Sequence, residues 1–475
     1  MRRFEDTVPA LTEDNIRHLL RRTEVVDRAH RVDHLLGLGS IAAAVDDVLD
    51  VDTRPPSAVF DSSVDFTRGE ELTAFWIERL VGVDRNFGER LAFFWHGHLC
   101  CEFTKAGGSS PMRDQIDLFR RNGLADDIPS LVKTVAIQPA MLRYLDNDEN
   151  FASSPNQNFG RELLELFLLG VGNYTEADVE AATAAWTGHT IDPDSKQYRW
   201  RADRHEAATQ RFLGRSINDG DPREGGNEVI DVVLGSGTVS VGPRAGDRSR
   251  DVAADFLSLK LWQEFGEADS GLVPEGVATA MRTALVSSSF SIRPWVRAML
   301  THDDFYESAT RTGLVRQPIE YAVALLVATG LPSTRVAPSW LLEEAGQRPL
   351  FPPNVSGWKP NRYWVHQGSM IARHRMAIRA GWDLHTTYWV HEWARRDENY
   401  MQFAGGRVYQ SEITGFGDEP PMSSPDLVDK FAELMDLRLS ETFRSTIIDY
   451  CDSISDAERY EAYLPILIDP AMHLA

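Results

Sequence analysis

The segment from Asn158 to Leu169 is the feature of this sequence that most limits how the chain can fold. Its leucines and phenylalanine point in nearly every direction around a helix axis, and a helix that is apolar all round is usually buried. Glu162 and Glu165 interrupt it three positions apart, so that on an α-helix they share one face. Because an unpaired buried carboxylate is costly to keep ionised, it needs a cation, a metal ion or a shared proton. The segment therefore predicts a polar site inside a core.

The length and the charge of the chain limit the classes of protein to which it can belong. It has 475 residues, 43% of them hydrophobic, which is enough for a large core. It carries 71 acidic and 49 basic residues, a formal net charge of -22. A nucleic-acid interface needs a basic face, and an anionic membrane surface attracts basic segments. The composition therefore argues against nucleic-acid and membrane partners and is typical of a well-solvated acidic surface.

The cysteine content and the N-terminal residues indicate in which cellular compartment the protein is expected. The three cysteines, Cys100, Cys101 and Cys451, are too few for a disulfide framework and fit a reducing environment. Arg2 and Arg3 precede Phe-Glu-Asp-Thr-Val-Pro, which is not the apolar segment of a signal peptide. No stretch approaches the ~20 apolar residues that a membrane-spanning helix requires. We therefore expect a soluble, cytoplasmic protein.

Helical patterns dominate the chain and predict a mainly α fold, one large multi-helix body. The segments with helical signals cover residues 12–22, 69–81, 86–101, 126–145, 175–186, 227–235, 247–265, 273–287, 317–330, 368–396, 425–436, 439–453 and 455–467. Residues 190–245 are irregular and contain a short β-like stretch at 198–201, which predicts a small β-like insertion. We expect a main helical domain over residues 1–400 and a C-terminal helical cluster over 401–475 packed on it.

Two histidines lie inside the apolar run Phe93-Phe-Trp-His96-Gly97-His98. On a regular helix, positions two apart point in very different directions and cannot bind one ligand together. Gly97 would allow the backbone to bend and to turn both rings inward. One interpretation is a pair of core histidines hydrogen-bonded to carboxylates, and the other is a pair of metal ligands.

The carboxylates of the segment from Asn158 to Leu169 also allow a structural and a functional interpretation. Asn158 lies one turn before Glu162 on the same stripe, and Arg161 can pair with Glu165 at i,i+4. A buried ionic network that fixes the register of the helix is the structural interpretation. A carboxylate metal site or an acid/base pair is the functional one. The familiar di-metal pattern is Glu-x-x-His, and here the fourth position is Glu instead.

Together the two apolar helices predict a divalent-metal site. If they face each other, His96, His98 and Glu162 meet in a core of low dielectric constant, and this set suits zinc, iron or manganese better than calcium. Glu165 would then be the general base. His205 follows the β-like stretch at the mouth of a loop and is a second catalytic candidate.

A second candidate surface surrounds the double proline Pro352-Pro353. Two consecutive prolines exclude both a regular helix and a strand ladder. Trp358 and Trp364 follow closely, with Tyr363 beside them. This cluster of aromatic residues predicts a groove next to the irregular segment.

Motifs of one known family occur along nearly the whole chain. They are His18-Leu-Leu-Arg-Arg-Thr23, Phe94-Trp-His96-Gly-His98, Pro352-Pro-Asn354-Val-Ser-Gly-Trp358 and the segments 139–146, 156–170, 174–179, 314–321 and 468–472. In these motifs the chain resembles the bacterial domain-of-unknown-function family 1800. The resemblance implies a predominantly helical fold but names no activity and no cofactor.

The resemblance also bears on partners. Many members of that family are exported and neighbour a second uncharacterised family of phosphatase- or sulfatase-like type, which suggests a protein partner of that type. The absence of an export signal in this sequence departs from that pattern. The positions that agree with the family pattern are His96, His98, Glu162, Glu165 and His205. Three positions differ: Gly97 replaces the usual Asn, His189 the usual Trp, and Glu206 the usual Asp.

Two functions follow from these residues. In a metal-assisted hydrolase, His96, His98 and Glu162 would bind the metal, and Glu165 would take a proton from the bound water. In a non-catalytic binding or assembly protein, the same groups form a structural ionic network, and the groove beside Trp358 and Trp364 binds a partner or a polymer. For a substrate, a small molecule and a polymer both stay open. The first hypothesis requires the histidine and glutamate side chains to converge on one metal position, at about 2.0–2.2 Å from it. The second hypothesis places an arginine such as Arg161 or Arg113 at that position.

Overall fold

The computed structural model describes residues 9–51, 68–82, 85–218, 220–329, 331–394, 423–434, 439 and 441–453. These residues contain 22 α-helices and four short strands, so the prediction of a mainly α fold is confirmed. Helices α1 to α11 are Glu13–Glu24, Ala29–Leu36, Ile41–Leu49, Gly69–Gly82, Phe87–His98, Phe103–Ala106, Ser109–Asn122, Ile128–Ala136, Pro139–Tyr144, Asn158–Glu162 and Glu176–Ala185. Helices α12 to α22 are Gly225–Asp231, Ser249–Phe265, Glu275–Ser287, Ile292–Leu300, Ser308–Arg311, Pro318–Thr329, Ser333–Val336, Ser339–Glu344, Gln367–Ala394, Ser424–Leu434 and Glu441–Ser453.

Local sequence signals account for several helix boundaries. The Thr175 side chain accepts a hydrogen bond from the backbone of Asp178, and the Asp178 carboxylate accepts one from the backbone of Thr175. This reciprocal capping box satisfies two donors that a helix start leaves free, so α11 begins where the sequence predicted. Pro139 likewise opens α9 and separates it from α8, because proline is tolerated in the first turn but not inside a helix.

The predicted β-like insertion contains two small antiparallel hairpins. Strand β1, His189–Ile191, pairs with β2, Tyr198–Trp200, and β3, Gln210–Phe212, pairs with β4, Arg215–Ile217. The second hairpin turns at Leu213 and Gly214, which both have positive φ angles. Two such residues form the tight turn whose twist matches that of the strands.

The segment from Asn158 to Leu169 is not one regular helix. Helix α10 ends at Glu162, and Leu163–Leu168 forms a π-helix. The Leu169 backbone N–H donates to the Leu164 carbonyl oxygen at 2.9 Å, an i→i+5 bond. A π-turn holds more residues than an α-turn, so the expected shared face of Glu162 and Glu165 does not follow from their spacing.

Helix α5 occupies the centre of the molecule and places the candidate site. It packs against α1, α4, α7 and α13. All of its residues from Glu89 to His96 are buried, as expected for a helix whose second half is apolar on nearly every side. Trp95 on α5 is completely buried, and Trp76, Trp262 and Trp295 of other helices are almost completely buried as well.

The described residues include only part of the C-terminal region for which helices were predicted. Helices α21 and α22 agree with the predicted segments 425–436 and 439–453, whereas the predicted helix 455–467 lies outside the described residues. The division into domains at residue 400 stays a prediction. Within the described ranges, no helix combines the length and the apolar character that crossing a membrane requires.

Candidate ligand-binding cleft

A cleft of about 100 Å³ opens between α5, α13 and the irregular segment that follows the double proline. Five aromatic rings form much of its wall. The residues that line it are Phe93, Phe94, Gly97, His98, Leu166, Lys260, Gln263, Glu264, Gln317, Ser356, Trp358, Lys359, Pro360 and Trp364. Three predicted site residues, His98, Trp358 and Trp364, therefore lie at one place. Half of the lining residues are polar or charged and half are apolar, so the cleft offers both apolar contact and polar groups to a small molecule.

His98 is held in one orientation by the fold. Its Nε2 lies 2.9 Å from the carbonyl oxygen of Phe167, and a carbonyl can only accept, so Nε2 carries the proton. The ring also stacks on Phe94, with planes 3° apart. Nδ1 is therefore an acceptor; it has no hydrogen-bond partner within the described residues and is open to the cleft. Burial, and secondly the charge of Lys260, lower the pKa of His98 to about 3, which keeps the ring neutral.

His96 has the opposite tautomer and a different role. It is buried, and its Nε2 accepts a hydrogen bond from the Leu350 backbone N–H at 3.1 Å. The Nδ1–H group has no partner within the described residues. The ring contacts Trp358, with centroids 5.5 Å apart. Burial lowers the pKa of His96 to about 3. His96 thus anchors the loop before the double proline to α5 and places one wall of the cleft.

The buried neutral state of His96 predicts a pH dependence of stability. Between pH 6.5 and about 3 the unfolded chain binds a proton at this residue that the folded protein does not, so stability falls as the pH falls. Each such histidine contributes a slope of about 1.4 kcal/mol per pH unit in that window. His96→Gln keeps an acceptor for Leu350 and removes the titrating group, so the slope should decrease by about that amount.

Denaturant unfolding at several pH values between 6.5 and 5 measures this slope, because most carboxylates stay ionised in that range. The exposed His30, changed in the same way, is the matched control. An identical slope in the wild-type protein and in His96→Gln would contradict a neutral buried ring.

Lys260 is the cation of the cleft wall. The side chain is half-buried on α13, and burial lowers its pKa. Its Nζ lies 5.4 Å from the centre of the Phe256 ring, a cation–π contact. Across the described residues no carboxylate pairs with Lys260 or with Lys359, the exposed lysine at the mouth. Both ammonium groups are therefore available to an anion.

The one carboxylate that lines the cleft is held by other groups. Glu264 Oε1 accepts from Arg90 at 2.5 Å and from the Gln317 side chain at 2.6 Å. The buried Arg90 also pairs with Glu320 at 2.5 Å, and Glu320 accepts from the Gln317 backbone at 2.7 Å. This set, Arg90, Glu264, Gln317 and Glu320, is here called the Arg90 network. It is a buried ionic network of the predicted kind, but it is built from other residues.

The indole ring of Trp358 forms one aromatic wall of the cleft. It stacks on Phe93 with ring centroids 5.5 Å apart and planes 13° apart. The next residue of the cleft, Trp364, is buried. A Cβ atom added at Gly97 would meet only Trp358, at 3.8 Å, an ordinary contact. A larger residue such as asparagine would extend towards Trp358, so glycine leaves this space open.

The carboxylates predicted as part of the same site lie apart from the cleft lining. Glu165 accepts a hydrogen bond from the Tyr174 hydroxyl at 2.8 Å. Glu162 is half-buried, and burial, with the charge of Glu165, raises its pKa. The Asn158 side chain donates to Asp146 at 3.4 Å. These residues surround the start of the π-helix rather than the two histidines.

The second catalytic candidate, His205, belongs to the hairpin region. Its Nδ1 lies 2.9 Å from the Thr187 carbonyl oxygen and its Nε2 lies 2.9 Å from Asn218 Oδ1. Both ring nitrogens are therefore engaged inside the fold, and His205 holds the segments around the hairpins together. His189 lies nearby and is also buried, which lowers its pKa to about 3.

The geometry required for the predicted metal site is not present. Among the residues that the structure describes, no group of three or more histidine, cysteine, aspartate or glutamate side chains is placed to hold a metal ion. His96 and His98 instead bond to two different backbone groups. The arginines considered as alternatives are engaged elsewhere: Arg161 pairs with Glu176 at 2.7 Å, and Arg113 lies 3.7 Å from Asp114. The four predicted residues thus form neither a metal site nor a single ionic cluster.

Sequence reasoning missed the polar side of the cleft. Lys260 stands between Leu259 and Leu261 in an otherwise apolar part of α13, the same signal that drew attention to Glu162. Glu264 follows one turn later on the same face. The partners of these residues come from distant parts of the chain, so their pairing had no local signal.

Comparison with known proteins identifies a family. The family model described as "Protein of unknown function (DUF1800)" matches residues 18–474, nearly the whole chain. No curated protein and no solved structure matches the chain.

Proposed function

Because this chain belongs to the DUF1800 family of proteins of unknown function, its role has to come from the cleft itself, and we propose that it is a non-catalytic binding protein for a small organic ligand. The observation that carries the proposal is the aromatic wall of the cleft, in which Trp358 stacks on Phe93. Trp358 is only half-buried. Its open part offers a flat apolar surface, and aromatic side chains dominate the energetics of such contacts.

The polar groups of the cleft support binding rather than catalysis. His98 is neutral and fixed by Phe167, and Glu264 is paired with Arg90. A general base needs a pKa near the working pH, whereas the pKa of His98 is about 3. A neutral ring that is already oriented, such as that of His98, is suited to recognising a ligand.

The proposal predicts that Trp358→Ala abolishes most of the binding. Loss of a central aromatic contact typically costs about 2 kcal/mol or more, which is about 30-fold in affinity. A library of small aromatic and cyclic compounds is screened by thermal shift, and the dissociation constants of the hits are measured by calorimetry.

Trp340→Ala is the matched control, because Trp340 is an exposed tryptophan outside the cleft. It should bind the hits like the wild-type protein. If Trp358→Ala binds them with unchanged affinity while it remains folded, the ligand does not lie in this cleft.

A further inference from the structure

The charge of the cleft differs in sign from that of the whole protein. The chain has a formal net charge of -22, yet the cleft presents two lysines that pair with no carboxylate of the described residues. Its own carboxylate, Glu264, shares Arg90 with Glu320, so these three groups carry one formal negative charge against the two lysines. Partial burial removes some of the hydration of the Lys260 ammonium group, and an anion bound beside it would offset that loss.

Lys260 is better placed than Lys359 to select the charge of a ligand. Lys260 is half-buried beside the Phe256 ring, whereas Lys359 is exposed at the mouth. Water and salt screen an exposed charge strongly and a partly buried one much less. An anionic group that reaches Lys260 therefore gains most of the electrostatic contribution to binding.

His98 adds a requirement of a different kind. Its Nδ1 accepts but cannot donate, because the proton of the ring is held at Nε2 by the Phe167 carbonyl oxygen. A ligand therefore satisfies this atom with a donor such as a hydroxyl group. The indole ring of Trp358, which also lines the cleft, favours a ligand that contains a flat ring.

We infer that the cleft binds hydroxylated aromatic carboxylates, with the carboxylate at Lys260, the ring against Trp358 and the hydroxyl at His98 Nδ1. This inference rests on the proposed function and deepens it by naming the class of ligand. Lys260 is then the residue that determines specificity for charge.

The test uses the full chain and a panel of one- and two-ring hydroxyaromatic carboxylates, each with its carboxamide of the same shape. 4-Hydroxybenzoate and 4-hydroxybenzamide are the first pair, and benzoate tests the hydroxyl. Calorimetry should show the acids binding about ten- to hundredfold more tightly than the amides, the range expected for a charge-assisted hydrogen bond. Lys260→Met should remove this preference, since it retains the length of the side chain but not its charge.

Two control variants separate charge selection from general effects. Lys105→Met alters an exposed lysine that pairs with Asp146 and should leave the preference unchanged, and Lys359→Met should reduce it less than Lys260→Met does. Equal binding of acids and amides by the wild-type protein, or an unchanged preference in folded Lys260→Met, overturns the inference but leaves the cleft as a binding site. Failure of every acid and every amide to bind also overturns the inference, whereas the proposed function fails only if the wider library of small aromatic and cyclic compounds gives no ligand that depends on Trp358.

Discussion

Replacing Arg90 by methionine is expected to lower the free energy of unfolding by about 3–5 kcal/mol. Arg90 is buried and is the shared partner of Glu264 and Glu320, at 2.5 Å from each. Its removal leaves two carboxylates with little access to water and without a cation. The loss of a paired charge costs far more than the pair itself contributes, because the remaining ions keep their desolvation penalty.

Denaturant unfolding of Arg90→Met measures this cost. Arg297→Met is the matched control: Arg297 pairs with Asp46 at 2.6 Å, but both side chains are about half exposed, and such pairs contribute about 0–1 kcal/mol. If Arg90→Met does not fold, Arg90→Lys keeps the charge while losing the two-armed geometry, and an intermediate loss is expected. A loss in Arg90→Met no larger than in the Arg297 variant would show that the Arg90 network is not a stabilising element.

Gly357→Ala is expected to destabilise the fold by about 2–5 kcal/mol. Gly357 has φ of 72°, in the left-handed region that costs a residue with a Cβ about 1–2 kcal/mol. The added Cβ would fall against the carbonyl oxygen of Gly97 and 3.1 Å from its carbonyl carbon. Because that neighbour is backbone, relief requires a shift of α5 or of the loop, and overpacking of this kind costs a further 1–3 kcal/mol, approximately.

Gly97→Ala is the matched control for the same contact. A Cβ there meets only the Trp358 ring at 3.8 Å, and alanine is favoured over glycine inside a helix by roughly 0.5–1 kcal/mol. We therefore expect Gly97→Ala to be neutral or slightly stabilising. Thermal and denaturant unfolding of both variants provide the comparison. Equal stability of Gly357→Ala and Gly97→Ala would mean that the loop does not lie against α5 at this glycine pair.

The sequence was sufficient where structure depends on neighbours along the chain. The capping box at Thr175 and Asp178 and the break at Pro139 both lie where predicted, because their causes act over three or four residues. The small β insertion was recognisable for the same reason. These signals do not depend on how distant helices pack.

The predicted site was only partly recovered, because its geometry depends on long-range contacts. His96 bonds to Leu350, a partner 254 residues away, and no periodicity indicates which backbone group a buried imidazole will meet. Glu162 and Glu165 were placed on one α-helical face, and the π-helix removed the basis for that expectation. The apolar pattern of Leu163–Leu168 is compatible with an α-helix and with a π-helix, so the sequence did not distinguish the two.

The π-helix Leu163–Leu168 also has a consequence at the level of the gene. An i→i+5 turn contains one residue more than an i→i+4 turn, so a single inserted codon can create it. Its last residues include Phe167, whose carbonyl oxygen holds His98. A relative shorter by one codon here would carry the same amino acids in a different angular phase, with another carbonyl facing the imidazole. The orientation of His98 therefore depends on the number of residues in this segment as well as on their identity.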